Sequence, residues 1–313
     1  VTDTGAAASS STVVQQLSAS GSSGHLLKVS GGWNLAGTPA QDGYTWFWQS
    51  GSNKYGYGIQ LSSKNYINLD CARISTLRYS RGIYLSSSSN NTITSPTCNS
   101  NSSYGNGGGI YLSSSSNNNT ITSPTCNSND YGIYLYSSSS NNTITSATCN
   151  SNSSYGNGSG IYLYSSSNNT ITSATCNRND RGIYLSSSNN NTITTPTCNG
   201  NSYGIYLASS SNNTITSATC NSNGNSGIDL NGSHNNTITS PTCNSNGYGI
   251  YLYNASSCVC WGYAHDESTW SNAGKVNEWM GNRQKIVSIG ESESGGAARN
   301  RVYFYGGYTQ DNT

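Results

Sequence analysis

Charge is what this sequence has least of. Only 8% of its 313 residues are charged, and the net charge is +1. Phosphate binding needs clustered Lys and Arg. The 13 present are scattered and form no stripe, so no nucleic acid partner is expected. Long apolar runs are also missing. None approaches the roughly 20 residues that cross a bilayer, so no membrane span is expected. There is no initiator Met and no signal peptide. The opening VTDTGAAASSS from Val1 predicts a mature N-terminus after processing, or a fragment. Helix is excluded by the density of Asn, Ser, Gly and β-branched residues.

A chain this polar invites a reading as disordered, but disorder goes with high net charge and few aromatics. Here there are 24 Tyr, and the polar residues recur in register. Aligning on Gly-Ile-Tyr-Leu exposes the repeat. It begins at Gly82, Gly109, Gly132, Gly160, Gly182, Gly204, Gly227 (as GIDL) and Gly249, with a degenerate GIQL at Gly58. Successive steps are 24, 27, 23, 28, 22, 22, 23 and 22 residues. A repeat of this period is the signature of a solenoid. The unit reads G-I-Y-L, a Ser-rich turn, N-N-T-I-T, a short turn, T-C-N-x-N, then a Gly turn. Two units are longer, through 102–108 and 153–159, and both insertions fall at one corner.

Alternation makes each segment a strand. Ile83 and Leu85 point inward and Tyr84 outward. Ile93 points inward between Thr92 and Thr94. Three short strands and three turns close one triangular coil, and stacking coils at about 4.8 Å builds aliphatic ladders. The expected fold is therefore all-β: a parallel β-helix over 58–253. Residues 1–57 and 254–313 are expected as non-repeat caps or assembly segments, because a solenoid must protect its end strands.

The units GIYLSSSNNNTIT and GIYLASSSNNTIT resemble the NosD-type right-handed β-helix repeat of secreted archaeal and bacterial proteins. The resemblance covers about residues 82–253 and implies a right-handed solenoid at the cell exterior. It leaves function open, because the same repeat serves enzymes, surface-layer proteins and adhesins. One departure is Cys where the family usually has Ile or Val.

Four residue sets could carry function. Cys71, Cys98, Cys126, Cys149, Cys176, Cys198, Cys220 and Cys243 form one column, with Cys258 and Cys260 beyond it. Stacked Cα atoms at about 4.8 Å fall inside the disulfide window, so free core thiols and adjacent-coil disulfides both stand. One Cys per coil lacks the convergent ligands of a metal site, so no metal and no cofactor is expected. Tyr84, Tyr111, Tyr134, Tyr162, Tyr184, Tyr206 and Tyr251 form an outward aromatic ladder, broken by Asp229, that either stiffens the solenoid or meets sugar rings or another subunit. Each Thr-Ile-Thr segment turns two threonines outward: Thr92 with Thr94, Thr120 with Thr122, Thr143 with Thr145, Thr170 with Thr172, Thr192 with Thr194, Thr214 with Thr216, and Thr237 with Thr239. They form a double hydroxyl row resembling the ice-binding face of β-solenoid antifreeze proteins. Thr is also an ordinary solvent-facing strand residue. Sequons recur on every coil. Those at Asn101, Asn152, Asn157 and Asn254 are the expected glycan acceptors, since glycans on every coil would collide.

Catalysis draws little support. The repeats offer Asp130, Asp180, Asp229, Arg178, Arg181 and His234, without a nucleophile or metal spacing. Asp130 and Asp180 share a corner two coils apart. The C-terminal run His265-Asp266-Glu267, with Glu278, Glu291 and Glu293, is denser but equally unpatterned. The sequence thus predicts no catalytic residues and no enzyme. It predicts an extracellular structural protein that self-assembles end to end into a filament, sheath or surface layer. Ice or glycan binding is the alternative, and a polysaccharide-active enzyme the further one.

Overall fold

A computed structural model describes residues 56–71, 74–77, 80–101, 107–153 and 157–261, with short stretches at 15–16, 20, 22–25, 27–30 and 45–48. Every regular element among them is a strand, and all named strand pairs are parallel. The chain winds as a parallel β-helix. Its first sheet has ten strands: Gln15–Gln16, Tyr57–Ser62, Arg81–Ser86, Gly108–Ser113, Tyr131–Tyr136, Ser159–Tyr164, Arg181–Ser186, Tyr203–Ala208, Ser226–Asn231 and Tyr248–Tyr253. The second sheet also has ten. It runs from Leu27–Ser30 and Ile67–Asp70, through the seven Thr-Ile-Thr strands, to Val259–Trp261. The third side is weaker. Thr45–Trp48, Ile74–Leu77 and Thr97–Asn99 form a short sheet, after which single bridges continue it from Thr97↔Thr125 to Thr219↔Thr242.

Like residues stack on like. Ile110 lies between Ile83 and Ile133, Leu112 between Leu85 and Leu135, and Ile121 between Ile93 and Ile144. These ladders and the Cys column form one continuous core. Each buried Ile or Leu contributes about 1.5–3 kcal/mol, so three aliphatics per coil hold an otherwise polar chain together.

The repeat's glycine has a steric cause. A Cβ on Gly109 would lie 2.7 Å from the carbonyl oxygen of Gly132 and 2.9 Å from Cβ of Cys126. The Cys column packs into the Gly column, and a β-branched side chain in place of Cys would strike that backbone. This accounts for the departure from Ile or Val.

Polar corners are tied by two buried asparagine ladders. In one, the backbone N–H and side-chain amide of Asn91 both donate to Oδ1 of Asn119, each at 3.0 Å, and the pattern repeats through Asn236. The second runs from Asn101 to Asn246. Ser and Asn at the turns take left-handed backbone, as at Asn90 (φ 59°) and Ser95 (φ 51°). Asn tolerates that region best among residues with a side chain, which accounts for its recurrence there.

The solenoid passes both boundaries expected from the repeat. Gln15–Gln16, Leu27–Ser30 and Thr45–Trp48 pair with Tyr57–Ser62, Ile67–Asp70 and Ile74–Leu77, so strands of a preceding coil lie within the segment expected as a cap. Val259–Trp261 likewise extends the second sheet beyond residue 253. Residues 262–313, including the expected acidic run, lie outside the described residues.

Candidate active site

Among the described residues, the outer surface of the first sheet gathers most of the tyrosines, together with Arg81, Arg181 and Asp229. Strict alternation would turn Tyr131 to the side of Ile133, into the core. The glycine between them breaks the alternation, so the residue before each tetrad turns outward beside the tetrad's own tyrosine. Tyr131 lies 5.0 Å from Tyr134, Tyr203 5.1 Å from Tyr206, and Tyr248 5.0 Å from Tyr251, between ring centroids. The main stack runs unbroken from Tyr57 through Tyr84, Tyr111, Tyr134, Tyr162 and Tyr184 to Tyr206, with steps of 4.5–5.7 Å.

Two arginines sit on this stack. The Arg81 guanidinium lies 4.0 Å from the Tyr111 ring centroid and 4.9 Å from that of Tyr84. Arg181 lies 4.6 Å from Tyr184 and 5.4 Å from Tyr206, and donates to Oδ1 of Asn157 at 3.3 Å. Cation–π contacts of this kind contribute about 0.5–2 kcal/mol.

Asp229 breaks the stack. It occupies the tyrosine position between Tyr206 and Tyr251 and is far shorter than either, so its carboxyl lies at the floor of a notch between two rings. It is only 5% exposed. Desolvation raises its pKa to about 7, against a weaker opposing effect of the hydrogen bond from Ser226 Oγ, 3.2 Å from Oδ2. Beside it, the Asn231 amide donates to the hydroxyl of Tyr206 at 3.3 Å. Burial also pushes the phenols of Tyr206 and Tyr251 up, and the nearby Asp229 charge adds to this. A carboxyl that titrates near neutrality in an aromatic notch can take or return a proton under ordinary conditions.

The other expected residues have different roles. The Oδ2 atoms of Asp130 and Asp180 accept backbone N–H groups from Gly107 and Gly158, at 2.8 and 2.7 Å. Each carboxylate thus latches the end of one inserted segment; residues 102–106 and 154–156 of those segments lie outside the described residues. His234 sits exposed at a turn, where its Nδ1 meets the backbone N–H and hydroxyl of Ser256. Arg178 lies beside a shallow hollow on another corner, lined by Asn150, Asn177, Asn199 and Ser222 and holding no acid.

Nine cysteines, Cys71 through Cys243 and Cys258, are buried in the core as thiols. Cys258 leaves the column and takes the place that asparagine holds in the preceding coils, with its thiol 3.5 Å from the carbonyl oxygen of Ser233. The side chain of Cys260 lies outside the described residues. Asn101 and Asn152 are corrected as glycan acceptors: both side chains are wholly buried, and Asn152 is a rung of the second asparagine ladder. Asn157 and Asn254 are exposed.

The fourteen expected threonines stand in register on the outside of the second sheet, away from the acid and the tyrosines. Thr92, Thr120, Thr143, Thr170, Thr192, Thr214 and Thr237 make one column, and Thr94, Thr122, Thr145, Thr172, Thr194, Thr216 and Thr239 the other. The row is less open than outward alternation suggests. Thr192 alone is exposed, and the other thirteen are half-buried by their neighbours in the stack. The second column also has a backbone role. The carbonyl oxygens of Thr122, Thr145, Thr194 and Thr216 accept the N–H groups of Ser95, Ser123, Ser173 and Thr195 in the preceding coils, at 2.8–2.9 Å, which carries the sheet's ladder into the next turn.

Sequence reasoning missed Arg81, Tyr57, Tyr131, Tyr203 and Tyr248, and three tyrosines that follow the tetrad: Tyr136, Tyr164 and Tyr253. The signal was the residue on either side of the tetrad, which the six-residue strands include.

Comparison with known proteins agrees with this architecture. Residues 145–262 match the family described as periplasmic copper-binding protein (NosD), and residues 9–149 match the right-handed β-helix region family. No curated protein matches in sequence. Among solved structures, the periplasmic alginate epimerase AlgG is similar at 18% identity with a TM-score of 0.53, covering 73% of this chain and 67% of its own. The enzymatically active domain of bacteriophage CBA120 tailspike protein 2 is similar at 14% and 0.53, covering 70% and 39%. The A-module of the Azotobacter vinelandii mannuronan C-5 epimerase AlgE6 is similar at 12% and 0.50, covering 70% and 78%. At these identities the likeness is one of fold. It nonetheless corrects the expectation that this chain is no enzyme. Enzymes are built on the same solenoid, so near-uniform coils with few charges do not argue against catalysis.

Proposed function

This chain is a right-handed parallel β-helix repeat protein of the NosD type, and from that premise we propose that it is a secreted or envelope protein acting on a polysaccharide. The first sheet's tyrosine face binds the sugar chain, and Asp229 transfers the proton. One observation carries the reading. Between Tyr84 and Tyr251 the single break in the tyrosine column is an acid, Asp229, buried beside Tyr206 and Tyr251, and burial raises its pKa to about 7. This reading replaces the filament subunit, which relied on end segments that lie largely outside the described residues.

The reaction class follows from how alone Asp229 stands among the described residues. Two-carboxylate glycoside hydrolysis uses acids about 5–9.5 Å apart. Asp180 is two coils away and four residues off along the strand direction, well over about 10 Å, and its carboxylate already serves Gly158. A lone acid–base group suits abstraction of the proton on the carbon beside a sugar carboxylate: Asp229 takes the proton, the C–H electron pair passes into that carboxylate, and return of a proton to the same carbon restores both, so uronate polymers are the first substrates to try. AlgG and AlgE6 are named for that class of polymer.

Copper, which the NosD family description names, does not fit the residues present. Among the described residues no three His, Cys, Asp or Glu side chains converge. The thiols stand one per coil in a dry core, a single column without the convergent ligands a metal needs. No step is routed through the metal.

The test is turnover by the full chain on alginate, mannuronan, pectate, xylan and cellulose between pH 5 and 8, beside D229N. We expect turnover on one uronate polymer and its loss in D229N. Silence across the panel, or full activity in D229N, sinks the reading.

A second reading rests on the threonine rows. No charged side chain stands on the second sheet between Thr92 and Thr239, so the surface offers ice a regular uncharged lattice of hydroxyls and methyls. Thermal hysteresis abolished by Thr170→Tyr with Thr172→Tyr would support it, and no hysteresis in the parent protein would remove it.

A further inference from the structure

Three large apolar side chains are exposed among the described residues: Tyr136 and Tyr164 at 39%, and Tyr253 at 41%. All three belong to one column, at the end of the first sheet's strands. Following that column up the solenoid gives Tyr136, Tyr164, Ser186, Ala208, Asn231 and Tyr253. Two tall aromatics are followed by three short residues and then by another tall one. The column is therefore a trough with a post at each end. From Tyr164 to Tyr253 is four coil steps, about 19 Å at the parallel strand spacing.

The trough adjoins the acid. Its side wall is the column Tyr184, Tyr206, Asp229 and Tyr251, so the notch at Asp229 opens beside Asn231. Its floor is polar, because phenol oxygens reach across to the next coil's short residue. The Tyr162 hydroxyl meets Ser186, and that of Tyr206 accepts from Asn231. The posts offer faces. Tyr136 and Tyr164 stack at 5.5 Å with an interplanar angle of 18°, and each packs edge-on against an inner tyrosine, Tyr134 or Tyr162, which holds its ring upright.

We propose that this trough is the subsite cleft for a pyranose chain lying parallel to the solenoid axis, with Tyr164 and Tyr253 stacking on sugars at its two ends and Asp229 facing the chain between them. Pyranose chemistry suits each part. Sugar C–H faces stack on aromatic rings, and ring hydroxyls exchange hydrogen bonds with phenols and amides. The coil spacing approximates the length of one sugar unit, so the cleft holds about four units. Asp229 lies nearer Tyr253, one coil from it, than Tyr164, three coils away. The chain is thus gripped asymmetrically, with its longer arm toward Tyr164. The inference rests on the polysaccharide reading but can fail without it.

The experiment uses D229N in the full chain to measure binding without turnover. Its probes are mannuronan oligosaccharides of two, four, six and eight units, with the xylan series in parallel. Affinity should climb steeply to about four units and then level off. Y164A and Y253A should each weaken the tetramer about fivefold to tenfold, with little effect on the dimer, and A208W, which fills the trough, should abolish tetramer binding. In the active parent, Y164A should raise KM and leave kcat nearly unchanged. If oligosaccharides bind but Y164A, Y253A and A208W leave affinity untouched, the cleft is wrong while the polysaccharide reading survives. If neither series binds or turns over, both fall.

Discussion

The two large sheets have the same number of strands, the same parallel register and the same ladder logic, yet they differ in how strictly they repeat. On the outside of the second sheet, fourteen threonines recur for seven coils without exception. On the outside of the first, the tyrosine column is broken by Asp229, the flanking positions change from coil to coil, and two arginines lie over the rings. Both sheets bury regular aliphatic ladders, so the core does not require the difference. A solenoid needs uniformity to stack, and variation on one face alone marks where something other than stacking has set the residue.

The comparison breaks most visibly at Asp229. D229N should lower turnover about 10²–10⁴-fold, the usual contribution of a positioned acid or base, while Thr192→Val on the other sheet leaves turnover unchanged. Equal losses in both variants would erase the distinction between the faces.

A second contrast lies in pH. The folded-state pKa of Asp229 is raised to about 7 from an ordinary 3.8. A raised carboxyl binds its proton more tightly when folded, so its stabilising contribution is whole below pH about 4 and is lost as pH climbs to about 7. The loss should reach up to about 4 kcal/mol, at about 1.4 kcal/mol per pH unit. Urea midpoints for the parent should fall over that window relative to D229N; parallel profiles would refute the burial of a titrating acid.

Two adjacent asparagines give a smaller contrast. Asn169 is a buried rung that accepts from the backbone N–H and side-chain amide of Asn142, at 2.8 and 3.2 Å, while Asn168 is exposed at the turn. Asn169→Ala should cost about 1–3 kcal/mol by leaving buried donors unpartnered, and Asn168→Gly should cost less than about 0.5 kcal/mol. Denaturant titration separates them. The smallest effect is expected on the second sheet, where Thr192→Val should shift stability by no more than about 0.5 kcal/mol.

The inward half of the molecule was legible in the sequence because burial enforces periodicity. Ile83, Leu85, Ile93 and Cys98 recur in every coil, and their inward direction followed from alternation alone. The outer face was only half legible. Tyr84 and its counterparts alternate correctly, but Tyr131 and Arg181 turn outward through a glycine whose cause lies one coil away, in the carbonyl and cysteine its missing Cβ would strike. No local pattern reports that. Asp229 was visible as an interruption, but its chemistry was not, because its pKa depends on rings brought in from neighbouring coils. Asn101 misled for the converse reason. As Asn-Ser-Ser it satisfies the glycosylation rule, yet its side chain is wholly buried.

The asparagine ladders have an electrical consequence. In both, every rung points the same way, with the earlier coil donating and the later coil accepting. Side-chain amide dipoles therefore add head to tail along the axis, as peptide dipoles do in an α-helix. Parallel strands, whose own dipoles lie across the axis, contribute little to this sum. A protein without a single helix among its described residues thereby acquires a polarity, with accepting oxygens directed toward its first coil and donating nitrogens toward its last. Its two ends are electrically unlike even where their side chains are the same.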